Sequence, residues 1–171
     1  MQDSEQLIKD VKTAFYSIRK IIEERKKRWA DWKSHVKENL KTTLESLNEQ
    51  FKISLEVEIK DFAINLESVI CNLKNGPSGF LADDVPYEKE FGFLQFLQIP
   101  NGKIQIIVGK PQIVGLVENE EPVKILGIIE PSELNYESIL GYFVQYLAEV
   151  QEWESNPPTG FIGFVPGKKQ I

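Results

Sequence analysis

The first glycine and the first proline of this chain are Gly76 and Pro77. The 75 residues ahead of them thus hold neither strong helix breaker, and this constrains the fold more than any other feature. Apolar side chains recur in that stretch at Leu7, Val11, Phe15, Ile18, Ile22, Trp29, Trp32, Val36, Leu40, Leu44, Leu47 and Phe51. Steps of three or four residues, almost throughout, set them along one side of a helix. Asp3 and Gln6 have the spacing of a capping box, so the helix is expected to open there. One helix over residues 4–50 runs for about 70 Å at 1.5 Å per residue. That exceeds the width of a domain of this size. The expectation is a long helix, straight or bent, suited to a coiled coil. The alternative is a hairpin turning at residues 23–28, where the stripe is weakest, with Asp31 or Ser34 capping a second helix.

Beyond residue 50 the period changes. Ile53, Leu55, Val57 and Ile59 alternate with polar residues, which predicts a strand with one buried face. Phe62, Leu66, Val69, Ile70 and Leu73 return to helical spacing, with Asp61 as N-cap and Gly76 as stop. Ile64 falls off that stripe, so a strand over residues 62–66 stays open. Residues 75–90 are rich in turn formers and acids and read as an exposed loop. Residues 91–99 and 104–108 flank Asn101-Gly102, a hairpin turn pair. Residues 112–117 and 123–129 flank a further turn at 118–122. These four strands predict an antiparallel meander, with residues 53–59 as a fifth. Pro131 and Ser132 open a last helix with Ile139, Phe143, Leu147 and Val150 on its apolar face, Leu140 and Val144 beside it, and Pro157-Pro158 ending it. The expected fold is therefore α+β in three parts: a charged helix (1–50), a sheet-and-helix body (51–156) and an apolar Pro/Gly-rich tail (157–171).

Charge divides along the same boundary. Net charge is −6, yet residues 1–52 sum to +3 and residues 53–171 to −9. All three arginines, Arg19, Arg25 and Arg28, sit in the helix. A basic arm on an acidic body suits electrostatic pairing with a partner or with another copy; a long exposed helix also carries charge simply to stay in solution.

Catalytic side chains are scarce. His35, the one histidine, lies four residues from Asp31 on the helix, a spacing typical of a surface contact. Cys71, the one cysteine, falls beside an apolar stripe and reads as a small buried hydrophobe. One histidine and one cysteine do not make a tetrahedral zinc site. Asp83, Asp84, Glu88 and Glu90, and Glu118, Glu120 and Glu121, lack the spacing of a calcium loop. Gly163, Gly167 and Lys168 miss the spacing and the following Ser/Thr of a phosphate loop. No cofactor is expected. The single cysteine, the opening Met1-Gln2-Asp3-Ser4-Glu5 and the shortness of every apolar run point to the cytoplasm rather than a membrane.

The expected role is accordingly a non-catalytic interaction or assembly module, such as an accessory subunit of a bacterial-type multi-protein system. Its partner is another protein or a second copy, met through Arg19, Arg25, Arg28, Trp29, Trp32 and Val36, since tryptophan and arginine are favoured at interfaces. Phe80, Phe161 and Phe164, in two similar Pro/Gly segments, form a second candidate surface. Two alternatives remain. Tyr136, Tyr142, Tyr146 and Trp153 are placed to line a small-ligand pocket. Arg19, Lys20, Arg25, Lys26, Lys27, Arg28, Lys33 and Lys37, with the two tryptophans, supply charge and stacking for nucleic acid, although an isoelectric point near 5.0 weighs against that.

Overall fold

The computed structural model describes residues 2–82, 84–114 and 123–156. The chain adopts the expected α+β architecture. Its leading helix is a continuous rod and not a hairpin, made of α1 (Gln2–Asp31), a π turn (Trp32–Val36) and α2 (Lys37–Phe51). The helix is already under way at Asp3, and Gln6 bonds forward to Asp10 at 2.8 Å, so it begins ahead of the expected cap. The π turn has a sequence cause. From Trp32 through Val36 and Leu40 to Leu44 every apolar step is four residues, which outruns the 3.6-residue turn of an α-helix by about one residue in all. One π turn absorbs that residue. Trp32, Val36, Leu40, Leu44 and Leu47 consequently all face the body and are buried.

The next strands are β1 (Leu55–Ala63), β2 (Leu66–Leu73), β3 (Gly76–Ala82), β4 (Val85–Glu90), β5 (Phe93–Gln98), β6 (Ile104–Gly109), β7 (Gln112–Ile113) and β8 (Val123–Ile129). Five form the main antiparallel sheet, in the order β1-β2-β5-β6-β8. The Asn101-Gly102 turn joins β5 to β6 as expected, with Gly102 at φ 81.

Three expectations give way here. The helix expected over residues 61–74 is instead the end of β1, a turn at Ile64-Asn65 and β2. Asn65 takes the left-handed backbone (φ 61) that a tight turn needs. Val69 and Cys71 then alternate inward onto Phe96 and Leu94, so cross-strand pairing overrides a fortuitous helical spacing. The loop expected at 75–90 is the β3–β4 hairpin of a second, three-stranded sheet. Residues 112–113 join that small sheet through Lys89 and Glu90 rather than extending the meander.

The last helix, α3 (Tyr136–Ser155), starts later than expected. Pro131–Glu133 is a 3-10 turn, and Asn135 caps α3 by accepting from the Ser138 amide at 2.9 Å while Ser138 Oγ accepts from the Asn135 amide at 3.0 Å. Ile139, Phe143 and Val150 are buried as read, joined by Tyr146; Val144 is exposed. Both helical layers cover one face of the main sheet, where Val69, Cys71, Leu94, Phe96, Ile104, Ile106 and Val108 meet α2 and α3 in one core.

Candidate functional site

Only part of the rod touches this core. Every described side chain from residue 4 to residue 21 is exposed, whereas Trp32 onward supplies the buried set. The stripe thus has a covered half and a bare half. On the bare half Leu7, Ile8, Val11, Phe15, Ile18 and Ile21 are 51 to 63% exposed. Ala14 is exposed between them and Ile22 is half-buried. At 100° per residue these eight positions fill one side of the helix, a face of three residues in every seven. Charges border it unevenly: Lys12 and Arg19 run along one margin, and Asp10 with the uncharged Ser17 along the other.

The rod is held to the body by two buried-edge clusters. In the first, Arg28 Nη2 donates to Glu130 Oε1 at 3.0 Å, its Nε donates to Oε2, and Lys103 Nζ reaches Oε1 at 3.1 Å. The Arg28 bond lowers the Glu130 carboxyl below its ordinary range, against the opposing effect of burial and with help from Lys103. The β5–β6 turn seats against the same helical turn. A Cβ on Gly102 would lie 2.7 Å from Arg28 Cβ and 3.2 Å from Trp29 Cδ1. Arg25 stacks its guanidinium over the Trp29 ring, 4.9 Å from the centroid. In the second cluster, Trp32 Nε1 donates to Glu67 Oε2 at 3.1 Å and Lys37 Nζ donates to the same oxygen at 2.7 Å. Burial by itself raises the Glu67 carboxyl, but Lys37 and the indole N–H outweigh it and leave the group below the usual carboxylate range. The Lys37 ammonium is raised by the same hydrogen bond.

These contacts redistribute the residues picked out by sequence. Trp32 and Val36 are folded into the body, Arg28 is engaged with Glu130, and Arg25 and Trp29 are half-buried beside Gly102. Arg19 alone of that group stands exposed on the bare half. The free edge lies nearer the N-terminus than tryptophan and arginine content indicated, and Ile8, Ala14 and Ile21, which widen it, were legible in a three-in-seven count. Phe80 lies within β3, while Phe161 and Phe164 fall outside the described residues.

Other candidates occupy structural places. Tyr146 is fully buried, its hydroxyl donating to Phe91 O at 3.2 Å and accepting from the Leu73 amide at 3.1 Å, and burial drives its acidity down. Tyr142 packs edge-on to Phe96, with 6.1 Å between centroids, and Tyr136 is exposed. Cys71 is buried within the sheet, which pushes its thiol up to about 12. His35 does not meet Asp31: the π turn places its Nδ1 2.7 Å from Ser34 Oγ on the open surface. Among the described residues no three His, Cys, Asp or Glu side chains converge to hold a metal ion, and no helix is long and apolar enough to cross a membrane. Compared with known proteins, the chain matches no family model, no curated protein and no solved structure.

Proposed function

We propose that this chain is a non-catalytic protein-interaction module that enters an assembly through the bare edge of its long helix. One observation carries the reading: half of a continuous apolar stripe is buried by the body, and the other half, from Leu7 to Ile21, stands exposed among the described residues, with Ile22 half-buried at its end. A helix gains most of its stability in water from packing an amphipathic face. Six large apolar side chains on one face of a lone rod form a surface that soluble monomers rarely leave open. The anchor clusters at Glu67 and Glu130 hold the rod to the body, so a partner bound at its tip is fixed in orientation. The lone, buried thiol suits a reducing compartment such as the cytoplasm.

The alternatives have less support. Base stacking needs accessible aromatic faces, but Trp32 is enclosed, Trp29 is half-buried under Arg25, and Arg28 and Lys37 are held by carboxylates. The tyrosines offered for a ligand pocket pack in the core or lie on the surface.

The test is a photo-crosslinking residue placed in cells at Val11, on the edge, and at Thr13, on the opposite side of the helix. The expected result is a discrete protein adduct from position 11 and none from position 13. Equal or absent adducts at both positions would overturn the reading.

A further inference from the structure

Resting on the interaction reading above, we infer that the occupant of the bare edge is a second copy of this chain, its helix running antiparallel across residues 7–22. The apolar positions on the edge are 7, 8, 11, 14, 15, 18, 21 and 22, while Tyr16 lies on the opposite side of the helix. This set is unchanged when the direction of the helix is reversed about the point between Ala14 and Phe15. A two-fold axis at that point faces Leu7 with Ile22 of the second copy, Ile8 with Ile21, and Val11 with Ile18. At the axis itself Phe15 lies opposite Ala14 in both directions, a large side chain against a small one, as interdigitated packing requires. One patch therefore serves both partners, the condition for a closed two-fold interface.

The position of the body selects the antiparallel sense. Trp29 and Trp32 continue the bare stripe and are covered by the sheet and its β5–β6 turn, so the body lies on the side of the rod to which the edge points. A parallel pair would bring both bodies to the same end, into the space between the two helices. An antiparallel pair sends them to opposite ends, where the β5–β6 turn at Arg25 comes level with Ser4, in the first helical turn of the other copy. Charge leans weakly toward a parallel pair, which would set the Lys12 and Arg19 margin of one copy against the Asp10 margin of the other, and the position of the body outweighs it. In the antiparallel pair Glu5 approaches Lys26 of the second copy and Lys12 approaches Arg19, one attraction and one repulsion per side, and exposed pairs of either sign contribute little.

The area reaches the lower end of the range for a specific interface, about 600 Å² on each partner. At about 100 Å² of apolar surface for each of its six exposed large side chains, the edge offers on the order of 600 Å² per copy. A standard stable interface buries about 800 Å² on each partner.

The experiment uses the purified full-length chain. Sedimentation velocity from about 1 to 200 μM should show a monomer–dimer equilibrium. Phe15→Asp should raise its dissociation constant at least about 100-fold, and Lys20→Asp, on the polar side, should leave it within about threefold. Both positions are exposed and outside the core, so the near-ultraviolet circular dichroism of the body, set by its buried aromatic side chains, should be unchanged. Orientation is read by disulfide formation, in which the buried Cys71 takes no part. A mixture of Ile8→Cys and Ile21→Cys chains should cross-link at least about tenfold faster than either alone. Faster linkage of Ile8→Cys to itself would overturn the antiparallel arrangement. A wild-type monomer at every concentration would overturn the second-copy occupant. The interaction reading would survive that result if position 11 still formed an adduct with a different protein in cells, and would fail with it if no adduct formed.

Discussion

Glu67→Ala isolates the cluster that joins the rod to the sheet. The carboxylate accepts from Trp32, a residue with no exposed surface, and from Lys37, whose side chain is 18% exposed. Removing it strands a buried indole N–H, which costs about 1–3 kcal/mol, and forfeits a charge-assisted bond of about 1.5–3 kcal/mol. Because the ammonium can recover some hydration, the combined loss should be about 3 kcal/mol rather than the sum of the upper limits. For a domain of this length, that lowers Tm by roughly 6–12 °C. Glu67→Gln keeps an acceptor for Trp32 and should lose about half as much. Urea denaturation followed by circular dichroism gives the free energies, and a cycle with Trp32→Phe should show a coupling of about 1–2 kcal/mol. A loss below about 1 kcal/mol in Glu67→Ala, or additivity with Trp32→Phe, would refute the argument that this carboxylate holds the helix.

Gly102→Ala places a methyl 2.7 Å from Arg28 Cβ at a backbone φ of 81, so it should destabilise by about 1–3 kcal/mol in the same urea assay. Gln98 is fully buried with neither end of its amide bonded to a described residue. Gln98→Leu should therefore raise stability by about 1–3 kcal/mol, measured as a higher urea midpoint at unchanged m. Glu67 and Glu130 are both held below the ordinary carboxylate range. Their stabilisation is present above the unfolded carboxylate pKa of about 4.3 and is lost as pH falls through the lower folded values. Denaturation between about pH 3 and 7 should show stability falling at the acid end, and Glu130→Gln should flatten that fall.

The long helix was legible because its evidence is local: no breaker before Gly76 and an apolar step of three or four residues. The β5–β6 hairpin was legible for the same reason, since Asn101-Gly102 states its own turn geometry. What failed depends on distant partners. β2 shows helical spacing, and its strand identity comes from pairing with β1 and β5. β3 and β4 carry Pro77 and Pro86, which marked the stretch as loop. Pro77 lies in an edge strand, and β7 pairs with β4 only at Lys89 and Glu90, so Pro86 has no partner on that side. The candidate surface was legible in kind and displaced in position. A periodic stripe shows that an edge is apolar, but which half the body covers depends on where Gly102, Glu67 and Glu130 meet the helix. Those contacts span from 30 to more than 100 residues of sequence.

Amide hydrogen exchange along the rod tests the central claim most directly. An unpacked helical segment of about this length is marginal in water, so residues 4–22 should exchange far faster than α2 in dilute protein. Protection confined to residues 4–22 should then rise at least about tenfold as concentration passes through the association range, while residues 37–51 stay unchanged. Protection of the tip that is already high in the dilute monomer, or that never responds to concentration or to any bound protein, would contradict the account.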